Sequence, residues 1–145
     1  MRRRSLFPLI WLILFFGLTG TLFLYSNEER VVRVGDLLSE MKETKGVESI
    51  FEYDTNEDGQ VDYLVKFDDK GEKLAEALDY NHDGFMDDFH YYKNGMLVER
   101  LIDSNYDTNI DVWVYLSEGV YVQKYEQDSN HDGVIDTIKN FGNEM

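Results

Sequence analysis

The sequence predicts an all-β fold, an antiparallel meander of about eight strands built from repeats of about 25 residues, preceded by one N-terminal transmembrane helix. Three observations carry this. A nine-residue pattern, D-x-N-x-D-G-x-x-D, occurs four times, at 54–62, 79–87, 103–111 (with Thr in place of Gly) and 128–136, with starts 25, 24 and 25 residues apart. Glycine-centred turns alternate with these aspartate loops, at Gly71, Gly95, Gly119 and Gly142. Between the turns lie short alternating segments rich in β-branched and aromatic residues, such as the run from Val112 to Leu116, which is the pattern of half-buried strands.

The elements follow in chain order. Residues 1–26 are expected to be a membrane anchor or signal segment. Arg2, Arg3 and Arg4 precede an uncharged, mostly apolar run at 6–25. Twenty residues at helical rise span about 30 Å, the hydrocarbon thickness of a bilayer. The basic cluster places the N-terminus on the cytoplasmic side and the repeats outside, and Glu28 and Glu29 beyond the run fit that orientation. Trp11 and Tyr25 fit either interfacial anchors or plain lipid-facing side chains. An uncleaved single-pass anchor is the reading taken, because no A-x-A-like cleavage triplet appears. The alternative is a signal peptide cleaved near Gly20 or Ser26, which makes the protein secreted.

Residues 27–46 form a charged connector. A short helix over 36–45 fits it, with Asp36 near its start, Gly46 as its stop and Leu37, Leu38 and Met41 on one face. A decayed repeat that keeps Gly46 at the glycine spacing fits equally well. Residues 47–145 are the repeat domain. Its unit is strand, glycine turn, strand, aspartate loop, so all aspartate loops fall along one edge of the meander and all glycine turns along the other. The single proline, Pro8, lies outside it, and nothing interrupts the ladders. An open sheet and a closed barrel are both compatible with this pattern.

Composition narrows the function. A net charge of −15 opposes binding to nucleic acid and resists compaction of so small a domain. The chain has no cysteine, which removes disulfides and thiolate metal sites. Twelve of its sixteen aspartates occupy the first, fifth and ninth positions of the four loops, so the acidity is organised. Oxygen side chains at alternating positions followed by a glycine bend suit a hard cation that takes six to eight oxygens. A plain polar turn also favours Asp, Asn and Gly, but it needs no carboxylate at its ninth residue.

The loop pattern resembles the calcium loops of FG-GAP repeats in integrin α-chains. It is also similar to the first nine positions of EF-hand, dockerin and thrombospondin type 3 loops. The likeness covers four nine-residue segments only. Position twelve, where an EF-hand carries a bidentate glutamate, holds Val65, His90, Val114 and Lys139, and the flanks read as strands, so the β-hairpin version fits better. The resemblance implies up to four Ca²⁺ ions. In the first loop it implies side-chain ligands Asp54, Asn56 and Asp58, a backbone carbonyl from Gln60, and Asp62 to close the shell. The matching sets are Asp79, Asn81, Asp83, Phe85 and Asp87; Asp103, Asn105, Asp107, Asn109 and Asp111; and Asp128, Asn130, Asp132, Val134 and Asp136. The third loop carries Thr108 where the others carry Gly59, Gly84 and Gly133, so it is expected to be the weakest site.

Other chemistry is sparse. His82 and His131 fill the fourth loop position, which is expected to face solvent, and His90 is expected to be a packed or edge strand residue. Ser117 and Ser129 have no evident base partner, so no nucleophilic triad is expected. Phe89, Trp113, Tyr115, Tyr121 and Tyr125 make either a core or a sugar-binding platform. The sequence therefore points to a membrane-anchored, extracytoplasmic calcium-binding module with a structural or interaction role and no enzymatic activity. Its expected partner is the membrane through 6–25, with no nucleic acid and with the protein or glycan partner unidentified. The alternative is an adhesion or carbohydrate-binding domain using an aromatic strand face.

Overall fold

A computed structural model describes residues 30–43 and 49–142. The expected anchor at 6–25 lies outside the described residues, and no described helix is long and apolar enough to cross a membrane. The elements are one helix, α1 (Val34–Lys42), and eight strands: β1 (Ser49–Tyr53), β2 (Tyr63–Phe67), β3 (Lys73–Leu78), β4 (Asp88–Lys93), β5 (Met96–Ile102), β6 (Val112–Ser117), β7 (Tyr121–Gln127) and β8 (Thr137–Asn140). The strands form one antiparallel sheet in sequence order, β1 to β8. The sheet is open, with β1 and β8 as its edges.

Turn chemistry explains the meander. Aspartate loops join β1–β2, β3–β4, β5–β6 and β7–β8, and glycine turns join the strands between them. At Asn94–Gly95 both central residues have positive φ, 53° and 73°, the geometry whose twist matches paired strands and which Asn-Gly adopts most readily. Register shifts fall between Lys66 and Phe67, Tyr91 and Tyr92, and Tyr115 and Leu116. All three lie on the glycine-turn side, so the ladder next to the aspartate loops is regular.

Alternation gives the sheet two different faces. Leu64, Ala77, Phe89, Leu101 and Trp113 stand side by side across five strands. They form one buried cluster with Val34, Leu37 and Met41 of α1. The helix starts two residues earlier and stops three earlier than 36–45. Its first free N–H, on Val34, is taken by the Thr108 carbonyl at 3.0 Å, a tertiary cap in place of a side-chain cap. Asp36 in the first turn and Lys42 in the last suit the helix dipole. Over its described residues the connector is a helical cover for the sheet, while Gly46 lies outside them. Just before α1 the chain runs along the loops, with Arg30 N–H to Gly133 O at 2.9 Å and Ile110 N–H to Val32 O at 2.8 Å.

On the opposite face, Val65, Glu76, His90, Arg100 and Val114 stand in one cross-strand row. No described element covers this face. The aromatics grouped in the sequence do not form one platform. Phe89 and Trp113 are fully buried in the helix-covered core and Tyr115 packs against it. Tyr125, in register with Val114 and Lys139, is on the other face.

Candidate metal centres

Each aspartate loop is stitched by its own side chains, with the same bonds in every copy. The first-position carboxylate accepts the N–H of the sixth residue, at 2.8 Å for Asp54–Gly59 and Asp79–Gly84 and 2.7 Å for Asp103–Thr108 and Asp128–Gly133. The third-position asparagine Oδ1 accepts the N–H of the fifth residue, and its Nδ2 donates to the fifth carboxylate: Asn56 to Asp58, Asn81 to Asp83, Asn105 to Asp107 and Asn130 to Asp132. The other oxygen of that carboxylate accepts the N–H of the seventh residue, Gln60, Phe85, Asn109 or Val134, at 2.8 to 2.9 Å. The ninth carboxylate, Asp62, Asp87, Asp111 or Asp136, accepts the N–H of the second residue and closes the ring.

The bend keeps one form throughout. The fourth residue lies at φ 64° for Glu57, 59° for His82, 64° for Tyr106 and 60° for His131. The sixth lies at 87° to 90° for the three glycines and at 71° for Thr108. Thr108 therefore takes the left-handed conformation that a β-branched residue resists, and Asn109 does not relieve it. The carbonyl of Thr108 is the cap of α1, so the connector leans on this loop.

Loops are chained to one another as well. The N–H of each first aspartate donates to the carbonyl of the preceding loop's ninth aspartate: Asp79 to Asp62 at 2.8 Å, Asp103 to Asp87 at 2.8 Å and Asp128 to Asp111 at 2.9 Å. Gln60 packs so tightly on Gly84 that its Oε1 lies 1.9 Å from where a Cβ would stand. This stacking buries the ring carboxylates. Asp62, Asp79, Asp87, Asp103, Asp111 and Asp128 are each at most 4% exposed, while Asp54 and Asp136, at the two ends of the stack, are exposed. The third- and fifth-position residues of all four loops are exposed.

Hydrogen bonds of this kind hold acid-rich turns in general. What they leave unexplained is the convergence of charge. In the second loop, one oxygen from each of Asp79, Asp83 and Asp87 falls within 4.8 Å of the others. Burial pushes the Asp87 carboxyl above its ordinary value, and the charges of Asp79 and Asp83 add to that against the N–H bonds from Tyr80 and Asn81. Burial likewise raises Asp103, with Asp107 adding to it. A buried carboxylate whose charged form is disfavoured by its neighbours is a site that gains from a cation. The oxygen-only donor set, with no sulfur and one amide per loop, fits a hard ion.

His82 and His131 are exposed, as the fourth loop position leads one to expect, but they also make a contact between loops. Each leans back over the preceding loop, His82 Nδ1 to Asp62 Oδ1 at 3.1 Å and His131 Nδ1 to Asp111 Oδ2 at 3.1 Å. No single loop announces this contact, because it depends on loop stacking.

A second polar cluster sits beside the loops on the uncovered face. Glu76 accepts from Tyr63 Oη at 2.7 Å, Lys73 Nζ at 2.8 Å and Tyr92 Oη, with His90 Nδ1 at 3.0 Å. Burial works against its charge, but these four partners hold it down at about 2. His90 Nε2 is 3.1 Å from Asp88 Oδ1, and Arg100 grips the fully buried Asp88 with two nitrogens. His90 is thus a bridge between two carboxylates and not merely a packed residue. A cavity of about 550 Å³ opens here, lined among others by Asp62, Tyr63, Glu76, Tyr80, His82 and His90. A general acid needs a raised carboxyl, and Glu76 is its opposite. Glu99, whose carboxyl burial does raise, does not line this cavity.

No family model and no curated protein matches the chain. Among solved structures, it is similar to a chain in the crystal structure of accessory secretory protein 1, 2 and 3 from Streptococcus pneumoniae, at 16% identity and a TM-score of 0.48. That alignment covers 81% of this chain and 21% of the other.

Proposed function

We propose that this is a membrane-anchored, extracytoplasmic calcium-binding β-repeat module whose ions are structural. The observation that carries the reading is the second loop, where three carboxylates, two of them buried, converge with no lysine or arginine in their hydrogen-bonding ring. The same ring of Asp, Asn and Asp bonds in all four loops extends it to up to four Ca²⁺ ions. Dissociation constants of about 10⁻⁴ to 10⁻³ M are usual for extracellular modules. With free calcium about tenfold above such a constant, each site adds about 1.4 kcal/mol by mass action. Four sites add about 6 kcal/mol, comparable with a whole domain's stability of about 5–15 kcal/mol. The full chain in non-ionic detergent should therefore melt many degrees lower with chelator and recover with millimolar Ca²⁺, much less with Mg²⁺. A melting curve indifferent to chelator would leave the loops as plain turns. External protease should digest the repeats of the membrane-bound chain, and full protection would reverse the orientation.

A second reading is favoured by one surface. Phe51 and Tyr53 of β1 are each about half exposed, Tyr53 stacks on Tyr63 at 5.8 Å, and Phe51 meets Phe67 edge-on at 6.0 Å. This aromatic cluster borders the cavity and suits a sugar ring. Glycan binding lost on Tyr53→Ala, with calcium-dependent melting intact, would establish that role beside the structural one.

A further inference from the structure

Asp62 is 3% exposed. Its Oδ2 takes the N–H groups of Thr55 and Asn56 and the Thr55 hydroxyl. Its Oδ1 is buried and has no hydrogen-bond partner among the described residues. A buried acceptor left this way is unfavourable, and more so when charged, so it calls for an explanation. What Oδ1 does face is the imidazole of His82, with Nδ1 at 3.1 Å but off the hydrogen-bonding direction.

We propose that Asp62 Oδ1 and His82 Nδ1 are two ligands of a divalent transition-metal site, of the Zn²⁺ class, at the junction of the first and second loops. Metal–nitrogen and metal–oxygen bonds of about 2.0–2.2 Å put two adjacent ligands of one ion about 3.0–3.5 Å apart, and the observed 3.1 Å falls within that span. An imidazole nitrogen turns selectivity away from Ca²⁺ and towards borderline metals. The pair lines the 550 Å³ cavity together with Thr55, Tyr63, Glu76 and Tyr80; of the two, the exposed imidazole of His82 is the side open to solvent, and the remaining positions of an ion there fall to water or a small anionic ligand.

The backbone builds this arrangement. His82 is held at φ 59°, and the Asp79 N–H to Asp62 carbonyl bond at 2.8 Å fixes the two loops together. The other junctions differ. His131 approaches Asp111 at the same 3.1 Å, but both oxygens of Asp111 already accept the Ser104 N–H at 3.2 Å. At the junction of the second and third loops the corresponding residue is Tyr106, which has no imidazole. The site shares Asp62 with the calcium reading but does not rest on it.

Co²⁺ is the probe, added to the full chain in non-ionic detergent, once in calcium-free buffer and once in millimolar Ca²⁺. One equivalent should bind with ligand-field absorbance and be displaced by Zn²⁺. His82→Asn, which accepts positive φ, should weaken binding by at least about tenfold, the loss that removal of even an outer partner of a metal ligand brings. His131→Asn should leave it unchanged. On the unmutated chain, Zn²⁺ should shift the ring-nitrogen resonances of His82 first. Co²⁺ binding that survives His82→Asn, or Zn²⁺ that leaves the His82 ring unperturbed, overturns the proposal. Calcium that fails to bind leaves each of these outcomes readable.

Discussion

Replacing Asp83 by Asn should change sign with calcium. Asp83 shares the second loop with Asp79 and Asp87, one oxygen of each lying within 4.8 Å of the others. At roughly 5 Å, in surroundings close to water, each pair of charges repels by about 1 kcal/mol. Neutralising Asp83 without metal removes two such repulsions. Asparagine keeps an oxygen for the Phe85 N–H, bonded at 2.9 Å, but its amide nitrogen cannot accept, so the exposed bond from Asn81 Nδ2 at 2.9 Å is lost to water. With that bond set against the two repulsions, the balance in chelator is a gain of at most about 1 kcal/mol. With calcium about tenfold above its dissociation constant, losing one site costs about 1.4 kcal/mol by mass action. For a domain of this size 1 kcal/mol moves the melting temperature by about 4–8 °C. Asp83→Asn should thus melt slightly above the parent in chelator and several degrees below it in saturating calcium, read by circular dichroism on the two proteins side by side. A shift of the same sign in both conditions refutes the idea that these carboxylates are held together for a cation.

Three further outcomes follow from other parts of the molecule. Thr108→Gly should tighten the weakest calcium-binding step about fivefold, by releasing about 1 kcal/mol of strain, and Asp107→Ala should cost less stability than Asp83→Ala; Asp107→Ala proving the most damaging of the four fifth-position changes overturns that ranking. Glu76 is held at about 2 against an ordinary 4.5, so its contribution is present above the ordinary value and fades as pH falls towards 2. Glu76→Gln should therefore destabilise at pH 7 by at most about 3 kcal/mol, less as solvent screens the cluster, with the difference shrinking from pH 4.5 and vanishing only near pH 2; a difference in urea unfolding that stays constant from pH 7 to pH 2.5 contradicts it. Met41→Ala removes a side chain that is 3% exposed beneath α1 and should cost about 2–4 kcal/mol equally with and without calcium; a loss below 1 kcal/mol would mean that the helix does not seal the core.

The repeat was legible because its signals are local. Asp, Asn and Gly recur at fixed offsets, and the strands between them alternate, so strand number, order and the common edge for the loops could be read directly. What escaped depends on distant partners. Helix α1 begins at Val34 because a carbonyl 74 residues away, on Thr108, caps it, and no neighbouring residue announces that. The fourth-position histidines read as solvent-facing within one loop and meet a carboxylate only when the loops stack. Glu76, Asp88, His90 and Arg100 are scattered over three strands, and the register of those strands had to be known before they could be seen as one network. Closure was undecidable because alternation fits a sheet and a barrel alike. The strain at Thr108 was foreseen, whereas its role in supporting the connector was not.

Calcium stoichiometry tests the central claim most directly. In isothermal titration of the chelator-treated full chain in non-ionic detergent, the account predicts saturable binding of up to four Ca²⁺ per chain, with the number falling by one in Asp83→Ala and by one more when Asp132→Ala is added. No saturable heat up to millimolar Ca²⁺, or a number unchanged by both substitutions, would contradict it.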